Sequence, residues 1–110
     1  MSRWVRVVGT DELLEGRGVG GLVGDECVAV FRLPDDRYAV VGGIDPHSGA
    51  NVMAHGLTGS VDVDGSEVVF VASPLDKRRY RLDTGDALEA GAPGIGTWPF
   101  RVVDDIVEVA

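Results

Sequence analysis

The sequence predicts an all-β fold, an antiparallel sandwich or barrel built from short strands. Apolar and polar residues alternate with a period of two along most of the chain, which is the pattern of half-buried strands. Sixteen glycines among 110 residues, with only three Phe, two Trp and two Tyr, indicate many turns between those strands. At this length we expect a single domain over residues 1–110 with one core of its own.

The elements follow in order from the apolar runs and the turn signals between them. After the first run we expect Thr10 to cap one helical turn that ends at Leu14. The glycine cluster at 18–21 lacks the following helix that dinucleotide binding requires, and we interpret it as a turn. Turns are also expected at Pro34-Asp35-Asp36, Asp64-Gly65, Asp83-Thr84-Gly85 and Asp104-Asp105. The predicted strands are 4–8, 19–23, 26–33, 37–41, 57–63, 67–71, 79–82, 98–103 and 106–109.

Charge and composition narrow the classes of partner. Ten Lys and Arg against eighteen Asp and Glu leave a net charge of −8, which disfavours binding to nucleic acid. No apolar stretch approaches the roughly 20 residues that span a bilayer, and Met1-Ser2-Arg3-Trp4 lacks the core of a secretory signal. The one cysteine, Cys27, excludes an internal disulfide and is expected to be a small buried hydrophobe. We therefore expect a cytoplasmic protein without a membrane partner.

Two loops carry the most informative residues. The irregular stretch 42–56 is long for so small a domain, which is typical of a functional loop; it contains Asp-Pro-His-Ser-Gly-Ala at 45–50. A second segment, 73–80, reads Ser-Pro-Leu-Asp-Lys-Arg-Arg-Tyr. Together they resemble the two halves of a Rieske iron–sulfur site. That site needs Cys-x-His and then Cys-x-x-His, because two thiolates hold one iron and two imidazoles the other. On that spacing the chain offers Asp45 and His47, then Ser73 and Asp76.

These ligand positions are degenerate. Iron–sulfur clusters need thiolates, which neither Asp45 nor Ser73 supplies, so we expect no cluster in this chain. Their short side chains are suited to accepting hydrogen bonds from loop amides, which would fasten the loops in place of a cluster. If the loops close as in a Rieske protein, Asp45, His47 and Asp76 can instead converge on one divalent cation. The other interpretation is that His47 is a local hydrogen-bonding residue.

The wider resemblance is to the small subunit of assimilatory NAD(P)H-dependent nitrite reductase. It extends over nearly the whole chain and is most specific at 43–52 and 71–75. The resemblance implies a Rieske-like sandwich that has lost its cluster ligands. Because the sequence has no Ser–His–Asp order, no Cys–His pair and no P-loop, we also expect no catalytic residues and no cofactor in this chain. The resemblance also implies a large catalytic partner that carries FAD, sirohaem and an iron–sulfur cluster and reduces nitrite to ammonium in nitrate assimilation. The alternatives are a Rieske-type [2Fe-2S] electron-transfer protein and a free-standing domain that binds a metal or a small molecule.

A basic segment follows the second loop. It places four of the ten positive charges within five residues, at Lys77, Arg78, Arg79 and Arg81. Arginine is enriched at interfaces and pairs well with carboxylates, so the segment is a candidate docking patch for an acidic surface of the large subunit. The alternative is that Arg79 and Arg81 are only the outward face of a strand. Trp98-Pro99-Phe100 is a second contact candidate, although aromatic pairs of this kind are more often core.

Overall fold

The computed structural model describes residues 3–110. The predicted absence of a secretory signal rested partly on Met1 and Ser2, which lie outside that range. Within it the chain forms nine strands and three short 3₁₀ segments, at Thr10–Glu12, Pro34–Asp36 and Met53–His55. No helix in this range is long and apolar enough to cross a membrane. The strands are β1 (Val5–Gly9), β2 (Gly18–Val23), β3 (Glu26–Leu33), β4 (Arg37–Gly42), β5 (Leu57–Val63), β6 (Ser66–Ala72), β7 (Arg79–Arg81), β8 (Phe100–Val103) and β9 (Ile106–Val109).

The strands form three antiparallel sheets of three strands each, in the orders β1-β9-β8, β2-β3-β4 and β5-β6-β7. The predicted all-β antiparallel fold is confirmed. Strand β3 has both faces buried, because its alternate side chains enter different clusters. Ala29 and Phe31 pack with the cluster that contains Val71 and Tyr80 of the β5-β6-β7 sheet. Val28 and Val30 pack with the cluster that contains Val107 and Val109 of β9.

Most strand boundaries agree with the sequence prediction to within a residue or two, and the departures have local causes. The last hairpin begins at Phe100 rather than at Trp98. The amide of Trp98 donates to the carbonyl of Val40 at 3.0 Å, so this residue joins the edge of β4 instead of β8. Cys27, predicted to be buried, is half-buried and forms no disulfide.

The interpretation of the glycine cluster 18–21 as a turn is wrong. These glycines lie in β2, paired along their length with β3. A Cβ at Gly18 would come within 2.6 Å of the Phe31 ring, and one at Gly21 within 2.4 Å of a methyl group of Val7. The glycines are therefore explained by close packing on both faces of the strand, which the local sequence does not reveal.

Candidate functional site at two adjoining loops

The first loop leaves β4 and is closed by its own backbone. The amide of Asp45 donates to the carbonyl of Ala50 at 2.8 Å, and the amide of Gly49 donates to the carbonyl of Asp45 at 2.8 Å. Ser48 Oγ accepts a further hydrogen bond from the Ala50 amide at 3.1 Å. Gly49 has a φ of 74°, a left-handed conformation that glycine adopts without steric cost. The loop is thus a closed ring of hydrogen bonds around Asp45.

The second loop, after β6, repeats this pattern. The amide of Ser73 donates to the carbonyl of Arg78 at 2.8 Å, and the amide of Lys77 donates to the carbonyl of Ser73 at 3.0 Å. Asp76 Oδ1 accepts from the Arg78 amide at 3.0 Å, in the role that Ser48 has in the first loop. Lys77 takes the left-handed position with a φ of 66°, although it is not a glycine.

A third loop, 81–86, has the same ring of hydrogen bonds. The amide of Arg81 donates to the carbonyl of Asp86, the amide of Gly85 donates to the carbonyl of Arg81, and both distances are 2.8 Å. Thr84 Oγ1 accepts from the Asp86 amide at 3.2 Å, and Gly85 has a φ of 76°. One loop design therefore occurs three times, twice with glycine and once with lysine at its left-handed position.

The first two loops are joined by a buried hydrogen bond between the two predicted cysteine-equivalent positions. Ser73 Oγ donates to Asp45 Oδ2 at 2.6 Å. Asp45 Oδ1 accepts from the amides of His47 at 2.8 Å and Ser48 at 3.4 Å, and Ser73 Oγ accepts from the Leu75 amide at 3.3 Å. Asp45 has no exposed surface, and Ser73 is 1% exposed. The side chains of Asp45 and Ser73 therefore each stabilise their own loop and also bind each other.

Asp45 is an ionised group in this buried setting. Burial by itself works against the charged form, but the hydrogen bonds from Ser73 and from the amides of His47 and Ser48 outweigh it. The pKa of the Asp45 carboxyl is therefore held below its usual value. A carboxylate that accepts several hydrogen bonds binds its donors more strongly than a neutral acceptor would.

The residues present do not fit an iron–sulfur cluster. The two positions that would need thiolates hold an aspartate and a serine, and their oxygen atoms bind each other directly. His47 has an exposed side chain, and Asp76 is turned toward the Arg78 amide. Asp45, His47 and Asp76 are not brought together as a metal-binding group. Nor do any three His, Cys, Asp or Glu side chains form one elsewhere in residues 3–110.

The arginines of the basic segment are largely engaged within the chain. Arg78 forms ion pairs with Asp76 at 3.3 Å and with Glu89 at 3.8 Å. The Arg79 guanidinium lies 5.4 Å from the centre of the Phe70 ring. Arg81 makes two hydrogen bonds to the carboxylate of Asp83, at 2.9 and 2.8 Å. Their charges are thus partly compensated by neighbours that the linear sequence did not identify.

Lys77 differs from these arginines. Its side chain is exposed and forms no ion pair with any residue that the structure describes. Leu75, two residues earlier, is 58% exposed. The exposed tip of the second loop therefore presents one apolar side chain and one uncompensated positive charge.

Tyr80 is a buried polar residue at this site, and no role was predicted for it from the sequence. Its ring is fully buried in the cluster with Phe31 and Val71, and its hydroxyl has no hydrogen-bond partner in the described chain. Burial raises the pKa of the Tyr80 hydroxyl, and the carboxylates of Asp45 and Asp76 raise it further. The hydroxyl is therefore protonated at neutral pH. Its burial costs desolvation free energy that no hydrogen bond offsets.

We expect Tyr80→Phe to leave the free energy of unfolding unchanged or to raise it by up to about 1 kcal/mol, because the change removes an unsatisfied buried group. Tyr38→Phe, at the only other tyrosine and a partly exposed one, is the matched control and should change stability by less than about 0.5 kcal/mol. Urea denaturation measures both. A loss of more than about 1 kcal/mol for Tyr80→Phe alone would mean that the hydroxyl has a partner.

Comparisons of this chain with protein families, with known proteins and with solved structures all indicate the same family. The sequence model of the Rieske-like [2Fe-2S] domain family matches residues 3–110. The nitrite reductase (NADH) small subunit of Salmonella typhimurium is 34% identical over 110 residues, covering 99% of this chain and 98% of that protein. The nitrite reductase [NAD(P)H] large subunit of Klebsiella oxytoca is 34% identical over 99 residues, covering 90% of this chain but 10% of that protein. The crystal structure of a putative NADH-dependent nitrite reductase small subunit from Mycobacterium tuberculosis superposes with a TM-score of 0.82 at 38% identity, covering 96% and 92% of the two chains.

Proposed function

Because the chain belongs to the Rieske-like [2Fe-2S] domain family and, within it, to the nitrite reductase small subunits, we propose that it is the accessory subunit of an NAD(P)H-dependent nitrite reductase. The observation that carries the proposal is the Klebsiella oxytoca large subunit, in which a similar domain makes up a tenth of the catalytic chain. A domain found both as a separate subunit and within the large subunit is expected to work in contact with it. The partner is therefore the large catalytic subunit.

In this proposal the chain carries no electrons and performs no chemistry. FAD, sirohaem and an iron–sulfur cluster belong to the large subunit, which reduces nitrite to ammonium in the cytoplasm during nitrate assimilation. The small subunit acts by contact, stabilising or positioning its partner. The support is the chemistry of the loops, where an Asp45–Ser73 hydrogen bond stands between the positions that would need thiolates.

The contact surface in this proposal is the tip formed by the two loops, with Lys77 at its centre. The positions equivalent to Lys77 in the other two loops are Gly49 and Gly85. A side chain at a left-handed position costs about 1 kcal/mol, and such strain is typical of functional sites. Lys77 is exposed despite this cost in free energy, and exposed Leu75 lies two residues before it. Together they are suited to binding an acidic and partly apolar patch on the partner. Arg78, Arg79 and Arg81 lie beside it as secondary contacts.

Lys77→Gly should change stability and binding in opposite directions. Relief of the left-handed strain should raise the free energy of unfolding of the isolated chain by about 0.5–1 kcal/mol. Loss of the charge should weaken binding to the large subunit about tenfold, which corresponds to about 1.4 kcal/mol. Unfolding by urea and titration of the large subunit, followed by nitrite-dependent NADH oxidation, measure the two effects.

Asp64→Gly is the matched control, since Asp64 also has a positive φ, of 52°, at the opposite end of β6 from Ser73. It should stabilise the chain without weakening binding. Equal affinities for the two variants would remove the loop tip as the contact surface. A wild-type chain that neither binds the large subunit nor changes its activity would overturn the proposed function itself.

A further inference from the structure

Lysine occurs once in this sequence. Of the ten Lys and Arg residues, nine are arginines and one, Lys77, is a lysine. The two side chains differ in reactivity, because the lysine amine can be acylated, whereas the delocalised arginine guanidinium stays protonated and charged. Lys77 is therefore the one basic side chain in the sequence whose charge an acyl group can remove.

The surroundings of Lys77 leave its amine open to reaction. The side chain is exposed and forms no ion pair with any residue in the range 3–110. Its backbone amide donates to the carbonyl of Ser73 at 3.0 Å, so the loop is closed by the main chain and does not need the Nζ atom. An acyl group on Nζ would thus break no ion pair within the described chain.

The positive charge near Lys77 favours an anionic acyl donor. Arg79, two residues later, is also exposed and has no ion pair among the described residues, and its guanidinium lies 5.4 Å from the centre of the Phe70 ring. Stacking on a ring leaves the N–H groups at the edge of the guanidinium able to bind an anion. The protein as a whole has a net charge of −8, so its surface repels anions outside this segment. An acyl phosphate has both the activated acyl group and the negative charge.

We propose that Lys77 is an acylation site, at which an acyl phosphate transfers its acyl group to Nζ and thereby weakens binding to the large nitrite reductase subunit. In this step Nζ attacks the carbonyl carbon, and the new C–N bond replaces the C–O bond to phosphate. Phosphate leaves with the electron pair of the broken bond, and the two protons that the ammonium group loses pass to phosphate and to solvent. The product is a neutral amide.

The consequence for binding follows from the charge. The acylated loop tip keeps exposed Leu75 but loses its uncompensated positive charge. This inference rests on the proposed function, since it takes the loop tip as the contact surface of the large subunit. Acylation and binding then exclude each other, because a Lys77 that contacts the large subunit is shielded from the donor.

The first measurement is the rate at which acetyl phosphate acetylates Lys77 in the purified chain, followed by mass spectrometry of its peptides. Arg79→Ala should slow the reaction about threefold at low ionic strength, and the difference should disappear at high salt, where the field of the missing charge is screened. Arg6→Ala, the same change of charge in β1 of a different sheet, is the matched control and should leave the rate unchanged. No acetylation at Lys77, or equal rates in wild type and Arg79→Ala, would overturn the inference and leave the proposed function standing.

The second measurement is the affinity of the acetylated chain for the purified large subunit, by calorimetric titration. We expect about tenfold weaker binding, similar to that of Lys77→Gln, which has a neutral amide in place of the amine. The urea midpoint of the acetylated chain should equal that of the untreated chain, because no ion pair in the described range is lost. Treated and untreated Lys77→Arg should bind alike, which controls for acetylation of the α-amino group.

The outcomes separate the two proposals. Acetylation of Lys77 that leaves the affinity unchanged would overturn the inference and the loop tip as contact surface, while the accessory role of the chain would stand. An untreated chain that does not bind the large subunit would overturn both proposals. Weaker binding after acetylation, together with protection of Lys77 from acetyl phosphate by the large subunit, would support both.

Discussion

Asp45→Ala is expected to lower the free energy of unfolding by about 3 kcal/mol, because the change removes a buried charged acceptor and leaves its donors unpaired. Those donors are the Ser73 hydroxyl and the amides of His47 and Ser48. In a domain of this size the loss corresponds to a fall of roughly 13 °C in melting temperature. Urea and thermal unfolding monitored by circular dichroism measure the effect.

Asp76→Ala is the matched control in the second loop. Its carboxylate is partly exposed, accepts one amide hydrogen bond and forms an ion pair with Arg78. We expect a loss of no more than about 1 kcal/mol, because exposed pairs of this kind contribute little. Equal losses for the two variants would show that the bond between the loops has no special weight. A double-mutant cycle with Ser73→Ala should give a coupling energy of about 1–2 kcal/mol.

The same group predicts a pH dependence. The folded pKa of Asp45 lies below its unfolded value, which is about 3.9. Its contribution is therefore fully present above that value and is lost as the pH falls through the folded pKa. The stability advantage of the wild type over Asp45→Asn should shrink as the pH is lowered from 6 toward acid. A constant difference over this range would contradict the assignment of a buried carboxylate.

Gly85→Ala is expected to cost about 4 kcal/mol or more, since it combines backbone strain with a clash that cannot relax. Gly85 has a φ of 76°, and a Cβ there would lie 2.4 Å from the carbonyl carbon of Gly96. The amide of Ile95 donates to the Gly85 carbonyl at 2.8 Å, so separation of the two segments would break this hydrogen bond. The variant should therefore release the 91–97 segment from the third loop.

Gly65→Ala separates strain from clash. Gly65 has a similar φ of 85°, but a Cβ there meets nothing within 4 Å. The change should cost only the left-handed penalty of about 1 kcal/mol. Urea denaturation of both variants gives the difference, and similar losses would mean that contact with Gly96 does not determine the need for glycine at 85.

The sequence predicted what depends on local pattern and on motif. The strands were predicted from the alternation of apolar and polar residues, and the segments at 45–50 and 73–80 were predicted from the Rieske-like spacing. The roles of residues that meet across sheets could not be predicted in this way. Gly18 and Gly21 signalled a turn because their neighbours in space, Phe31 and Val7, lie far along the chain or in another sheet.

At the candidate site, too, the features that depend on local pattern were predicted, and the contacts between distant residues were not. Asp45 and Ser73 were expected to accept hydrogen bonds from loop amides, and the structure adds a direct bond between them that no local pattern indicates. Arg78 was predicted to belong to a basic docking patch, and the structure adds its ion pairs with Asp76 and Glu89, of which the pair with Glu89 joins residues distant in the sequence. The lack of a hydrogen-bond partner for the Tyr80 hydroxyl could not be predicted from the sequence, because tyrosine is common in strands.

The threefold repetition of one loop design has an evolutionary consequence. Each ring is closed in part by hydrogen bonds between main-chain amides and carbonyls, which do not require a thiolate at position 45 or 73. A lineage can therefore exchange its metal-binding residues one at a time, and each intermediate retains a folded loop. Loss of a prosthetic group need not be a single improbable event in such a scaffold.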